Sequence, residues 1–143
     1  MTDQNDAASR AFRRVRDSFC RQSFLSLIGA ELEDVRPGRV TVSCCLREDL
    51  TQQQGLLHGG VVATVADVTC GYTALTVIQE GYEVMSVEFK LNLLRPVSGS
   101  GIRAVGSLVR AGRTLVVTEA EVQDIDSGKL VAKMLATMIP APL

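Results

Sequence analysis

Histidine and aromatic residues are scarce in this chain of 143 residues. It has one histidine, His58, and no tryptophan, and aromatic side chains make up only 4% of the sequence. Classical zinc fingers and three-histidine metal centres need several histidines, so one chain cannot build them. We therefore expect no metal and no cofactor, and chemistry that depends on few titratable groups.

The chain also lacks an excess of charge of either sign, since it contains 15 Lys and Arg residues and 16 Asp and Glu residues. Binding to nucleic acid through phosphate neutralisation needs a basic excess, so a nucleic-acid partner is not expected. The four cysteines, Cys20, Cys44, Cys45 and Cys70, form no CxxC motif. We predict reduced structural thiols in a cytoplasmic protein. The polar N-terminus does not resemble a signal peptide.

One long apolar stretch, from Gly59 to Ile78, raises the question of a transmembrane helix. It contains Asp67, and a charge near the centre of a bilayer costs about 2.5–3.5 kcal/mol. No basic cluster flanks the stretch. We predict a helix buried nearly all round in a soluble domain, and no membrane insertion.

The rest of the chain is dominated by strand patterns. We expect disorder over 1–6, a helix over 7–20 and a domain boundary between residues 21 and 22, so that 22–143 form the main domain. Predicted strands cover 40–46, 82–94, 102–110, 113–125 and 130–139, with turn signals between them. Alternation over 82–94 places Ser86 and Glu88 on one face and Met85 and Phe89 on the other. The predicted fold class is α+β, an antiparallel sheet wrapped around one long central helix.

His58, Gly59 and Gly60 stand at the start of the predicted helix. The first amides of a helix lack intrahelical acceptors, and glycine allows close approach, so this end suits an oxygen that gains negative charge. The alternative is that the glycines serve packing and that His58 is a capping residue.

Asp67 lies eight residues beyond Gly59, about 12 Å along a helix. It is therefore not expected to reach a group bound at its own helix's start. Two copies packed antiparallel about a two-fold axis would bring each Asp67 to the other's Gly59, and such symmetry is the commonest in oligomers. The alternative is a buried acid satisfied by hydroxyls such as that of Thr64.

An ordered set of motifs carries a family resemblance. It comprises Gln52, Gly55, the His58-Gly59-Gly60 triplet, Asp67, the strand from Met85 to Pro96 and the segment from Arg110 to Leu115. Over roughly residues 22–140 the chain resembles hotdog-fold acyl-CoA thioesterases of the phenylacetate-degradation type.

The resemblance implies hydrolysis of acyl-CoA thioesters in a site shared across a homodimer, with dimers paired into a tetramer. Asp67 of the partner would be the nucleophile or general base, and the Gly59 amide with Gln52 would polarise the carbonyl. Ser86 would help hold the water or carboxylate, and His58 would orient the loop or the carbonyl. Relatives more often have Asn at the position of Gln52, and the neighbouring Gln53 or Gln54 could take that place instead.

The resemblance also implies groups that bind substrate and coenzyme A, which enters as part of the substrate. These candidates are Gly60, Glu88, Arg95, Arg110, Gly112, Arg113 and Thr114. Two other functions stay open: a non-enzymatic acyl-CoA-binding or regulatory protein, and a hotdog dehydratase or hydratase. A buried carboxylate beside a carbonyl site has no use in a pure binder, and the polar Gln loop fits the dehydratases less well. The acyl group preferred is left open.

Overall fold

The computed structural model describes residues 2–142, the side chains of residues 2 and 3 excepted. The helices are α1 (Thr2–Arg21), α2 (Ser23–Ile28) and α3 (Gly59–Leu75), and a short 3-10 turn covers Glu48–Leu50. The strands are β1 (Ala30–Arg36), β2 (Arg39–Cys45), β3 (Tyr82–Leu93), β4 (Gly101–Ala111), β5 (Val116–Asp124) and β6 (Leu130–Pro142).

The strands form one antiparallel sheet of six, in the order β1-β2-β4-β5-β6-β3. The sheet curls around α3, which contacts five of the six strands. A glycine on the sheet allows this close approach, since a Cβ added at Gly106 of β4 would clash with the Thr73 hydroxyl of α3. The predicted α+β architecture is confirmed.

The chain before the main sheet differs from the prediction in two places. Residues 2–6 are helical, whereas we expected disorder over 1–6, and Met1 lies outside the described residues. This first turn has no apolar side chain to bury, but an ion pair of 3.0 Å between Asp6 and Arg10 links it to the next turn of the helix. Further on, Gly29 caps α2 in a left-handed conformation (φ 72°), so the apolar segment after residue 22 divides into α2 and a sixth strand, β1.

Strand β3 lies at one edge of the sheet and contains a bulge. Ser86 pairs with Met138 and Glu88 with Thr137, so that Val87 has no partner in the register. The bulge moves Ser86 to the face that packs on α3 and leaves Glu88 on the outer face, where Thr137 donates a hydrogen bond to it. Uninterrupted alternation, which put both residues on one face, is wrong at this point because a bulge adds one residue.

Helix α3 is less enclosed than the sequence suggested. Its sheet-facing side is buried, but Gly60 is exposed, and Thr64, Asp67 and Gly71 on the same stripe are half-buried. Strand β3 likewise exposes apolar side chains that strand alternation alone would assign to the core: Met85, Val87, Phe89 and Leu93. One side of the helix and the neighbouring sheet edge therefore remain open in a single chain.

Helix α1 is fastened to the end of α3 by one arginine. Arg14 donates hydrogen bonds to the carbonyls of Leu75 (3.3 Å), Ile78 (2.9 Å), Gln79 (3.0 Å) and Tyr82. These carbonyls follow or end α3 and have no helical partners of their own. A single guanidinium thus closes the connection between α3 and β3.

We predict that Arg14→Ala lowers the free energy of unfolding by about 1.5–3 kcal/mol, because hydrogen bonds from a charged donor are lost and the carbonyls lose their partner. Urea denaturation followed by circular dichroism measures the change. Arg13→Ala is the matched control, since Arg13 is the exposed neighbour on the same helix. Equal losses in both variants would contradict the assignment.

Candidate active site

The start of α3 is held by His58. Its Nδ1 accepts a hydrogen bond from the Gly60 amide at 2.8 Å, and its own amide donates to the Leu50 carbonyl at 2.9 Å. An N-cap side chain that accepts from the second residue of a helix satisfies one of its orphan amides. Of the alternatives at this position, the structure shows the capping contact directly, and it occupies Nδ1.

The His58 cap does not bind the Gly59 amide. Within residues 2–142 it donates to no acceptor, while the Val61 and Val62 amides both bond the His58 carbonyl. A Cβ added at Gly59 would lie 3.0 Å from Leu93 Cδ1, so a side chain here would crowd strand β3. The Gly59 amide therefore lies at the positive end of the helix dipole, and its own residue has no side chain to cover it.

Gln52 shares a cleft with Gly59. Gln52, Gly59, Leu93 and Arg95 line one cleft of about 300 Å³. Gln52 is half-buried, whereas the neighbouring Gln53 and Gln54 are exposed. A tight turn sets this geometry, since the Gly55 amide donates to the Gln52 carbonyl at 3.0 Å and Gly55 has a left-handed φ of 75°. Of the three glutamines, only Gln52 lines this cleft.

Asp67 and Ser86 meet on the open side of α3. Ser86 Oγ donates to Asp67 Oδ1 at 2.7 Å, across the bulge of β3. Thr64 does not supply this bond, because its hydroxyl donates to the Gly60 carbonyl at 2.9 Å. The two residues border a cleft of about 170 Å³, to which α1 adds Ser18. No other donor among residues 2–142 contacts the carboxylate.

The remaining candidates lie at two other places. Gly112 and Arg113 border a cleft of about 380 Å³ beside Tyr82. The Gly112 amide donates to the Leu115 carbonyl at 2.8 Å, so Arg113 and Thr114 belong to a turn and β5 begins only at Val116. The predicted strand over 113–125 is wrong in its first three residues because this bond closes the turn.

The charged candidates Arg95, Arg110 and Glu88 lie at three different places. Arg110 is exposed beside a bulge of β4, next to the turn. Arg95 borders the Gly59 cleft and donates to the Leu130 carbonyl at 2.7 Å. Glu88 is exposed on the outer face of the sheet, away from α3. A single chain thus brings Gln52, Gly59 and Arg95 together, and Asp67 with Ser86, but keeps the two groups in separate clefts.

Neither buried cysteine is suited to act as a nucleophile. Burial raises the pKa of the Cys70 thiol to about 12 and also raises the pKa of Cys44. A protonated thiol is a poor nucleophile. Over the part of the chain that the structure describes, no group of three or more histidines, cysteines and acids is placed to hold a metal ion.

Sequence reasoning missed residues around a further cavity of about 510 Å³. It lies between α2 and the start of α3, where His58 and Gly60 meet Phe24, Leu27 and Arg47. The sequence signal for this cavity was the i, i+3 spacing of Phe24 and Leu27 in α2. This spacing did not stand out because the two residues lie within a longer apolar run.

Comparison with known proteins is consistent with this geometry. Residues 54–131 match the family model of the thioesterase superfamily. A thioesterase family protein from Silicibacter pomeroyi has a TM-score of 0.89 at 38% identity, covering 93% of this chain and 99% of that one. The chain belongs to the thioesterase superfamily.

Two further proteins are similar to this chain. Human acyl-coenzyme A thioesterase 13 is 29% identical over 103 residues, which cover 71% of this chain and 73% of that protein. The PaaI protein of the Escherichia coli phenylacetic acid degradation operon has a TM-score of 0.85, covering 94% of this chain and 95% of that one. Its identity of 16% shows the fold alone. The predicted hotdog fold and thioesterase family are confirmed.

None of the helices between residues 2 and 142 has the length and apolar character that crossing a membrane requires.

We predict that His58→Ala lowers the free energy of unfolding by about 0.5–2 kcal/mol, because the Gly60 amide loses its acceptor. His58→Asn should recover most of this stability, since Asn is a good N-cap residue. Thermal unfolding of both variants measures the difference. If Asn and Ala are equally destabilising, the cap is not what His58 contributes.

Proposed function

We propose that this protein hydrolyses acyl-CoA thioesters to a free acid and coenzyme A, in sites that two copies of the chain share. The observation that carries the proposal is the acceptor-free Gly59 amide beside Gln52, on the same helix as the half-buried Asp67. A carbonyl-polarising donor and a carboxylate are the two groups that such a hydrolysis requires.

The Gly59 end suits the thioester carbonyl. The amide and the helix dipole point at the position where negative charge would develop on the carbonyl oxygen. The Gln52 side-chain amide would add a second hydrogen bond. It now donates to Gln54 Oε1 at 3.1 Å in an exposed turn, a contact that a carbonyl oxygen can replace.

Asp67 would supply the base or the nucleophile. Ser86 donates to Oδ1, and no donor among residues 2–142 is bonded to Oδ2. As a base, the carboxylate takes a proton from water while the hydroxyl bonds to the carbonyl carbon and the thiolate of coenzyme A leaves. As a nucleophile, Asp67 would form an acyl-enzyme anhydride that water then opens. The thiolate needs no acid in order to leave, so a second titratable group is unnecessary.

The site requires a second copy because α3 keeps Gly59 and Asp67 about 12 Å apart in one chain. A two-fold axis near Thr64 would bring the partner's Asp67 to Gly59 twice per dimer. Open surfaces support this arrangement: the stripe with Gly60 and Asp67, and the edge strand β3, which exposes Met85 and Phe89. An unpaired edge strand is a template for pairing with another chain.

Coenzyme A would reach the site along basic groups. Arg95 borders the Gly59 cleft, and Gly112 and Arg113 border a second cleft at the turn after β4. We assign the phosphates of coenzyme A to Arg95, Arg110 and Arg113, with Gly60 and Thr114 at the margins of the substrate. Glu88 would contribute from the outer face of the sheet. From the resemblance we further propose a dimer of dimers and, since the thiols of this chain suit a reducing compartment, a cytoplasmic location.

Asp67→Asn should keep the fold and lower turnover of an acyl-CoA by at least about 100-fold, the lower limit of a general base's contribution. Release of free thiol measures turnover across acetyl-, octanoyl-, palmitoyl- and phenylacetyl-CoA. Asp34→Asn is the matched control, since Asp34 lies on β1 at the opposite edge of the sheet. Undiminished turnover in a folded Asp67→Asn protein would exclude Asp67 as the catalyst. Tight binding without turnover in the wild type would favour the alternative, a non-enzymatic acyl-CoA-binding protein.

Mixed dimers test whether the site is shared. One inactive chain carries Asp67→Asn and the other carries Gly59→Val, which places a branched side chain against Leu93. After unfolding and refolding together, half of the dimers should be mixed, and each mixed dimer has one site with both intact halves. We expect about a quarter of the wild-type activity. If a verified heterodimer stays inactive, each site lies within one chain.

A further inference from the structure

The cavity between α2 and the start of α3 is the largest of those described above, at about 510 Å³. This volume falls within the range of about 300–1,000 Å³ that small-molecule pockets occupy. Its walls are mainly apolar: Phe24, Leu27 and Ile28 from α2, with Leu50 and Val61 opposite. Phe24 and Leu27 stay 53% and 70% exposed, although both are large apolar side chains.

The charged groups at this cavity are already paired. Arg47 donates two hydrogen bonds to Asp49, both of 3.0 Å, and a third to the Leu27 carbonyl at 2.9 Å. The Arg47 guanidinium holds the pKa of Asp49 below its usual range, so the pair stays ionised and mutually neutralised at neutral pH. Arg47 is committed to the carboxylate and to the end of α2, which leaves the cavity suited to an uncharged, apolar group.

The cavity also adjoins the proposed carbonyl site. His58 and Gly60, on either side of Gly59, line it together with Thr64. Gly60, Thr64 and Asp67 are spaced i, i+4 and i+7, so they share one face of α3. In the proposed antiparallel dimer this face meets the partner's Asp67 end. The Gln52 and Arg95 cleft lies at the same helix end but away from α2. A substrate held at Gly59 thus has an apolar cavity and a cleft with a basic residue within reach.

We infer that the α2 cavity is the acyl pocket and that Leu27 and Phe24 set the length of the acyl chain the enzyme accepts. The inference rests on the proposed function and assigns the substrate class: acyl-CoA with an apolar chain of medium or greater length, rather than acetyl-CoA. Coenzyme A then extends away from α2, past Arg95. The family model begins at residue 54, so α2 lies outside the matched segment.

Leu27→Trp tests the inference because it fills the pocket from an exposed position, where the larger side chain does not disturb the core. The ratio of kcat/KM for decanoyl-CoA to that for acetyl-CoA should fall at least about tenfold, the scale of a lost methylene contact in an apolar pocket. Phe24→Ala should move the preference toward longer chains. Leu135→Trp is the matched control, as Leu135 is 51% exposed on the outer face of the sheet.

Three outcomes would overturn the inference. An unchanged ratio would place the acyl chain elsewhere, and an equal loss on all substrates would show a structural role for α2. A change in oligomeric mass in Leu27→Trp, measured by sedimentation, would show that a second copy covers this cavity.

Failure of the proposed function would be separable from these outcomes. If the wild type turns over no acyl-CoA, calorimetric binding of decanoyl-CoA and acetyl-CoA takes the place of kinetics. A preference for decanoyl-CoA that Leu27→Trp removes would support the pocket while the hydrolysis proposal fails. Absence of that preference in binding would overturn the pocket as well.

Discussion

The rigid length of α3 is the constraint on which the rest of the molecule depends. Eight residues of helix hold the Gly59 amide and the Asp67 carboxylate about 12 Å apart, and no side-chain rotation closes that distance. The single chain accordingly keeps these groups in two separate clefts, the proposed half-sites, and has an open stripe on α3 and a sheet edge at β3. All three features are explained together if a second copy covers the stripe and edge and completes the half-sites.

The same helix would explain how the proposed hydrolysis proceeds with so few titratable groups. The single histidine is occupied as an N-cap, because its Nδ1 accepts from the Gly60 amide. By satisfying that amide and no other, the cap fixes the start of the helix and leaves the Gly59 amide available. Polarisation of a carbonyl would then come from backbone dipoles, whose strength does not depend on a protonation state. In the proposed reaction, the Asp67 carboxylate, which accepts a hydrogen bond from Ser86, would take up the proton.

Local patterns predicted much of the fold and only part of the site. The apolar run of α3, the alternation of the strands and the turn glycines follow from side-chain periodicity, so the α+β class and most element bounds could be foreseen. The sequence pattern did not separate strand β1 from α2, because the Gly29 cap that divides them is a backbone conformation. The turn at Arg113 was likewise not predicted, because it is closed by a backbone hydrogen bond between Gly112 and Leu115 and not marked by a side-chain pattern. Capping was one of the roles considered for His58, but the order of residues alone does not distinguish a capping residue from one that contacts substrate.

The sequence by itself determined the scarcity of histidine, the balanced charge, the apolar helix with one carboxylate and the ordered motif that resembles the thioesterases. Residue types and their spacing are enough for these, because they are properties of the covalent chain. The tertiary structure decided the orientation of each group. The bulge at Val87 turned Ser86 toward Asp67, the turn at Gly55 placed Gln52 beside Gly59, and α2 closed a cavity over the helix start. A bulge changes the face on which the following side chains lie, and it forms only where two strands are paired.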